Sequence, residues 1–202
     1  TGLPTSTKNN WNVDQNGHGT HVAGLIADIT PANVKILPIK IFDGLSGNST
    51  NYALENAVRW ICALKGGYKV QLLNNYGTTT SKYYNEAEVK LDNIVAVNMS
   101  LGTSGFSLDS ASDLKEFGIE KYGYTEYGVT YTGYQDTIDN LLECDILPIV
   151  AAGNRDTDEY NGKPYYSLPG ACDGVLEVSA YDNTEDEYAL ASFSYYNDFV
   201  SL

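Results

Sequence analysis

Three short apolar runs constrain this chain more than any other feature. "VKILPIKIF" (34–42), "NIVAVNMSLG" (93–102) and "DILPIVAAGN" (145–154) are strand-length, and rich in Val and Ile with little polar alternation. A strand apolar on both faces has to be covered on both, as in a parallel sheet between helical layers. "GVLEVSAYD" (174–182) reads as a fourth such strand. Pro38 is awkward for a central ladder because it carries no N–H.

The stretches between these runs have helical spacing. "TNYALENAVRWICALK" places Ala53, Leu54, Ala57, Val58, Ile61 and Leu64 on one face, with Ser49 or Thr50 as N-cap. "QDTIDNLLEC" (135–144) reads as another helix. "THVAGLIADIT" predicts a buried helix of about three turns that stops before Pro31, with Gly24 allowing close contact between helix and sheet. Strand and helix signals in alternation specify an α/β fold: a three-layer parallel sheet flanked by helices. There is no internal repeat, so residues 1–202 are read as one domain. Two segments, at about 66–90 and 103–133, are too long for ordinary connectors and read as insertions. The second is rich in Tyr and Gly, a composition suited to a loop that carries specificity.

Composition narrows the function. Twelve Lys and Arg stand against 26 Asp and Glu, a net charge of −14, and no basic cluster exists to meet a phosphate backbone. Nucleic acid is therefore not expected as a partner. No apolar run approaches the ~18 residues of a membrane span, so no membrane partner is expected either. The three cysteines, Cys62, Cys144 and Cys172, are widely spaced and odd in number. They suggest buried small hydrophobes rather than a disulfide framework or a zinc knuckle.

Both histidines fall in "NGHGTHVAG", at His18 and His21. As zinc ligands they lack a third partner: there is no further His, no HExxH and no Cys pair nearby. No metal site is assigned. As a general base His18 is better supplied. At a helix start the dipole favours the neutral imidazole, and Gly17 and Gly19 leave the ring open to a nucleophile and a substrate.

"DQNGHGTHVAG", "VNMSLG" and "PIVAAGN" occur in that order, followed by "SLPGA" and "ASFS". This ordered set resembles the subtilisin-like serine peptidases, the subtilase family, from about Asp14 to Phe199. The resemblance implies a serine endopeptidase that forms an acyl-enzyme. His18 takes the role of catalytic general base, with His21 as its structural neighbour. Asn154 takes the role of catalytic oxyanion donor. Ser100, Leu101 and Gly102 match the strand that binds substrate backbone. Ala151, Ala152 and Gly153 match the wall of the pocket for the residue before the scissile bond. It also implies a polypeptide substrate, a propeptide inhibitor, an extracellular or cell-envelope location and no cofactor beyond calcium as a structural ion. "ADITPANVKIL" leaves no room for the calcium loop that many relatives insert after the His helix.

Two members of the family's Asp, His, Ser order are not visible. Asp14 precedes His18 by four positions and is poorly placed to hold the far ring nitrogen. Ser104 sits in a Gly-Thr-Ser that precedes the oxyanion Asn instead of following it, and is a decoy. The expectation is a partial peptidase domain, incomplete at both ends and inactive alone, with triad acid and nucleophile outside this chain. The alternative is a non-catalytic subtilase-like module that binds peptides or regulates. A zinc hydrolase is a third, weaker reading.

Overall fold

A computed structural model describes residues 13–42, 47–73, 79–84, 89–107, 125–126, 129–130, 133–155, 163–182 and 189–201. They fall into two compact units, Thr1–Ala57 and Val58–Leu202.

The first unit carries helix α1 (His18–Ile29). It starts after Gly17, whose φ of 87° is the left-handed conformation that glycine adopts freely. It stops at Thr30, where the backbone turns extended and both the N–H and the hydroxyl donate to the Ile26 carbonyl, at 3.1 and 2.7 Å. Pro31 follows and cannot continue the ladder. The helix is where the sequence predicts it, but it is not buried: none of its residues is, and Ile29 is 84% exposed. Spacing specifies an apolar stripe, whereas burial needs a covering layer, and the described residues provide none. Around Gly24 the described residues leave open space, with nothing within 4 Å of where a Cβ would stand.

A second correction concerns 34–42. The run forms no strand, and Val34, Ile36, Leu37 and Phe42 are exposed. A strand exists only where a neighbour completes its ladder, and Pro38 already removes one donor. Helix α2 (Asn51–Gly66) begins as expected, with the Thr50 hydroxyl accepting the Ala53 N–H at 3.2 Å. Its apolar face is buried at Leu54, Val58, Ile61 and Leu64.

The second unit holds the parallel sheet. Strands β3 (Ala96–Met99), β7 (Leu147–Ala151) and β9 (Leu176–Val178) pair in the order β3-β7-β9, all parallel. This is the α/β parallel sheet flanked by helices that the apolar runs predict. Helix α3 (Tyr134–Glu143) packs on β7 and buries Ile138 and Leu141 completely. The Gln135 amide locks α3 to the turn at Asp173: its Nε2 donates to the Asp173 carbonyl at 3.1 Å, and its Oε1 accepts the Asp173 N–H at 2.9 Å. Cys62 and Cys172 are buried as expected, but Cys144 is only half-buried.

The remaining strands are short antiparallel pairs. β1 (Val70–Leu73) pairs with β2 (Thr79–Tyr84), and β5 (Thr125–Glu126) with β6 (Val129–Thr130). β4 (Phe106–Ser107) pairs with β8 (Tyr165–Tyr166), and β10 (Tyr181–Asp182) with β11 (Ala189–Leu190). Most of the Tyr-rich insertion lies outside the described residues.

Candidate active site

The start of α1 is organised by one carboxylate. Asp14 Oδ1 accepts the backbone N–H of Gly17 at 2.8 Å and of Asn16 at 3.2 Å. Its Oδ2 accepts both the N–H and the hydroxyl of Thr20, each at 2.8 Å. These donors, the Gly17 N–H foremost, hold the Asp14 carboxyl down to about 2. Asp14 is thus committed to the turn that leads into α1 and to the orphan Thr20 N–H of its first turn, and its hydrogen bonds go to residues 16, 17 and 20 rather than to an imidazole. His18 follows directly, exposed, with its own N–H donating to Asn16 Oδ1 at 3.3 Å.

The other expected residues gather at one edge of the sheet in the second unit. Met99 pairs with Val150 across β3 and β7, so Ser100, the first residue beyond β3, comes next to Ala151, the last residue of β7, at the C-terminal edge of the sheet. That edge is where open α/β sheets carry their ligands. From there Leu101 and Gly102 run on with no main-chain hydrogen-bond partner among the described residues. Thr103 then docks on the Ser167–Leu168 segment: its N–H donates to the Leu168 carbonyl at 2.8 Å, and its hydroxyl accepts the Leu168 N–H at 3.1 Å. Gly102 must lack a side chain, because a Cβ there would collide with the Ser167 hydroxyl. Ser104 is exposed in this same segment.

Beyond β7 the chain is held from both sides. The Ala152 N–H donates to the Val178 carbonyl at 2.8 Å. Asn154 forms an antiparallel bridge with Ser194, flanked by Tyr195 N–H to the Gly153 carbonyl at 2.9 Å and Arg155 N–H to the Phe193 carbonyl at 2.7 Å. Gly153 has φ of 106°, a turn that carries the chain out of the sheet and leaves Asn154 exposed. The structure therefore brings together Ser100, Leu101, Gly102, Ala151, Ala152, Gly153 and Asn154. His18 belongs to the first unit.

Three supporting residues escape the sequence reading. Tyr195 is almost wholly buried and lies between Gly105 and Gly153, where either Cβ would strike its ring. It also stacks on Tyr165, with centroids 5.3 Å apart. The Ser167 hydroxyl donates to the Thr103 carbonyl at 3.0 Å. Glu177 is fully buried on β9, and its Oε1 lies 2.8 Å from where a Gly170 Cβ would stand, with the Ala151 carbonyl 2.9 Å from that same point. Burial pushes the Glu177 carboxyl up to about 7, against one opposing hydrogen bond donated by Asn197. "SLPGA" opens on Ser167 and "ASFS" ends directly before Tyr195, so a signal was present. A single Glu in an apolar run gives none.

A model of the Subtilase family matches residues 2–200. Alkaline protease 1 of Aspergillus flavus is 28% identical over 184 residues, covering 90% of this chain and 32% of its own length. Subtilisin DY of Bacillus licheniformis is 25% identical over 192 residues, covering 91% of this chain and 49% of its own length. Among solved structures, a psychrophilic protease aligns with 75% of this chain and 33% of its own, at 19% identity and a TM-score of 0.40. The chain thus spans a third to a half of the curated relatives it matches. With a family match running nearly end to end, the chain belongs to the subtilase family.

Proposed function

We propose that this chain carries the base and oxyanion half of a subtilisin-like serine endopeptidase, and that the triad acid and nucleophile come from sequence outside these 202 residues. The observation that carries the reading is the shared C-terminal sheet edge, where Ser100–Gly102 follow β3 and Ala152–Asn154 follow the neighbouring β7. An extended peptide lies along Leu101 and Gly102, whose backbone groups read chain direction and not sequence. Ala151, Ala152 and Gly153 wall the pocket for the side chain before the scissile bond, and their small size admits a bulky one. His18 takes the proton of the attacking hydroxyl and returns it to the leaving amine. The Asn154 amide donates to the oxygen that becomes negative in the tetrahedral intermediate. The carboxylate of Asp14, tied to the helix start, is not the triad acid in this scheme. Residues 1–202 form a partial peptidase domain.

Polypeptides are the substrates, and a propeptide is the natural inhibitor. Calcium, where present, is structural. No helix among the described residues is long and apolar enough to cross a membrane, and an extracellular or cell-envelope location follows the family resemblance.

The test is the full gene product against a chromogenic peptide. Asn154→Leu is expected to lower kcat by about 10²–10³ with KM little changed, the size known for loss of this donor in subtilisins. His18→Ala is expected to lower kcat by about 10⁶, again the subtilisin magnitude. The 202-residue chain alone should take up no fluorophosphonate serine-hydrolase probe. Probe attached to Ser104, or full activity without His18, overturns the assignment. A full-length product that binds peptide but never cleaves it establishes the non-catalytic alternative.

A further inference from the structure

Away from the sheet edge, the C-terminal half of α2 runs along the end of α3. The Cys62 thiol donates to the Asn140 carbonyl at 3.4 Å, and one turn later the Lys65 ammonium donates to the Asp145 carbonyl at 2.7 Å. Asn140 and Cys144 are four residues apart on α3 and its C-cap, hence on the same side of the helix. Two contacts that bracket position 144 therefore bring Cys144 opposite Cys62.

We propose that Cys62 and Cys144 are a redox-convertible pair, joined under oxidising conditions in a disulfide that staples α2 to the end of α3. The pair is unequal. Cys62 is buried and its thiol is pushed up to about 12, chiefly by that burial, whereas Cys144 is half-exposed. Cys144 is thus the thiol that reacts first. With oxidised glutathione as oxidant, the Cys144 thiolate attacks the glutathione S–S bond, forms a mixed disulfide and expels one glutathione thiolate. Cys62 then loses its proton, attacks the Cys144 sulfur and expels the second glutathione. The two cysteines give up two electrons and two protons, and one glutathione disulfide becomes two thiols. Cys172 is excluded by its place: it is buried beside Asp173, which the Gln135 amide ties to the start of α3, whereas Cys144 caps the other end of that helix.

The experiment uses the whole chain, reduced and then exposed to oxidised glutathione. Thiols titrated in denaturant are expected to fall from three to one, the intact mass to drop by two hydrogens, and the peptides holding Cys62 and Cys144 to stay joined until reduced. Closing a loop of about 80 residues should raise Tm by roughly 10 °C. Cys172→Ser should keep the cross-link and lose the last titratable thiol. Persistent glutathione adducts, three surviving thiols, or a cross-link that includes Cys172 would each overturn the proposal. This inference does not depend on the peptidase reading.

Discussion

The two units bear the two halves of the proposed chemistry, and they are held by opposite means. In the first, α1 is positioned locally: Asp14 gathers the N–H groups of Asn16, Gly17 and Thr20, and Thr30 closes the other end. Its apolar side, with Leu25 54% and Ile29 84% exposed, contributes little. In the second, Asn154 is positioned from afar. The chain around it is held by Val178, Phe193 and Tyr195, and the sheet beneath it is sealed by Ile138, Leu141 and Val150. Local capping fixes the direction of a helix, whereas long-range packing fixes a point in space. An oxyanion donor needs the second kind of constraint.

The sharpest way to break this contrast is at Gly153. Gly153→Ala forces a side chain into a φ of 106° and against the Tyr195 ring at about 2.5 Å. The two effects together are expected to cost roughly 2–6 kcal/mol, read by denaturant unfolding. A loss below 1 kcal/mol would show that the turn yields easily. Next in size is a matched pair. Ile138→Ala, fully buried, should cost roughly 2–5 kcal/mol. Ile29→Ala on the exposed face of α1 should stay within about 0.5 kcal/mol. Equal losses would mean that α1 is covered after all.

Glu177 sharpens the comparison through pH. Its folded carboxyl titrates near 7 instead of near 4.5, so the fold binds this proton more tightly than the unfolded chain does. That contribution is complete below about pH 4.5, declines as pH rises and is gone above about 7, on the order of 3 kcal/mol in all. Urea unfolding from pH 4.5 to 8 should show the decline, and Glu177→Gln should flatten it. Asp14 works in the opposite direction and more weakly, because it is exposed. Its carboxyl is held low, so its capping is intact above about pH 4 and is lost as pH falls towards 2. Asp14→Ala should raise hydrogen exchange at Gly17 and Thr20 without a change at β7. A change at β7 would show that the capping at Asp14 is not a local constraint.

Much of the second unit is readable from residues alone. The near-continuous apolar runs at 93–102 and 145–154 specify strands covered on both faces. Strands β3 and β7 form there, but Ala96 and Asn98 of β3 are exposed, so the predicted cover is not complete on that strand. The α2 face and its Thr50 cap follow from 3.6-residue spacing and one hydroxyl. The 34–42 run shows the limit. Its composition is that of a strand, yet no described neighbour completes a ladder, so it remains without pairing. Tyr195 and Glu177 were hidden for a related reason: their importance comes from Gly105, Gly153 and Gly170, which are close to them only in space.

Periodicity, capping residues and glycine positions are local properties, and from them the chain by itself determined the three described helices and the positions of β3, β7 and β9. Register, burial and the meeting of Ser100 with Ala151 depend on groups far apart in sequence. Only the tertiary structure decided those, because a hydrogen bond or an apolar contact exists only when its second partner arrives.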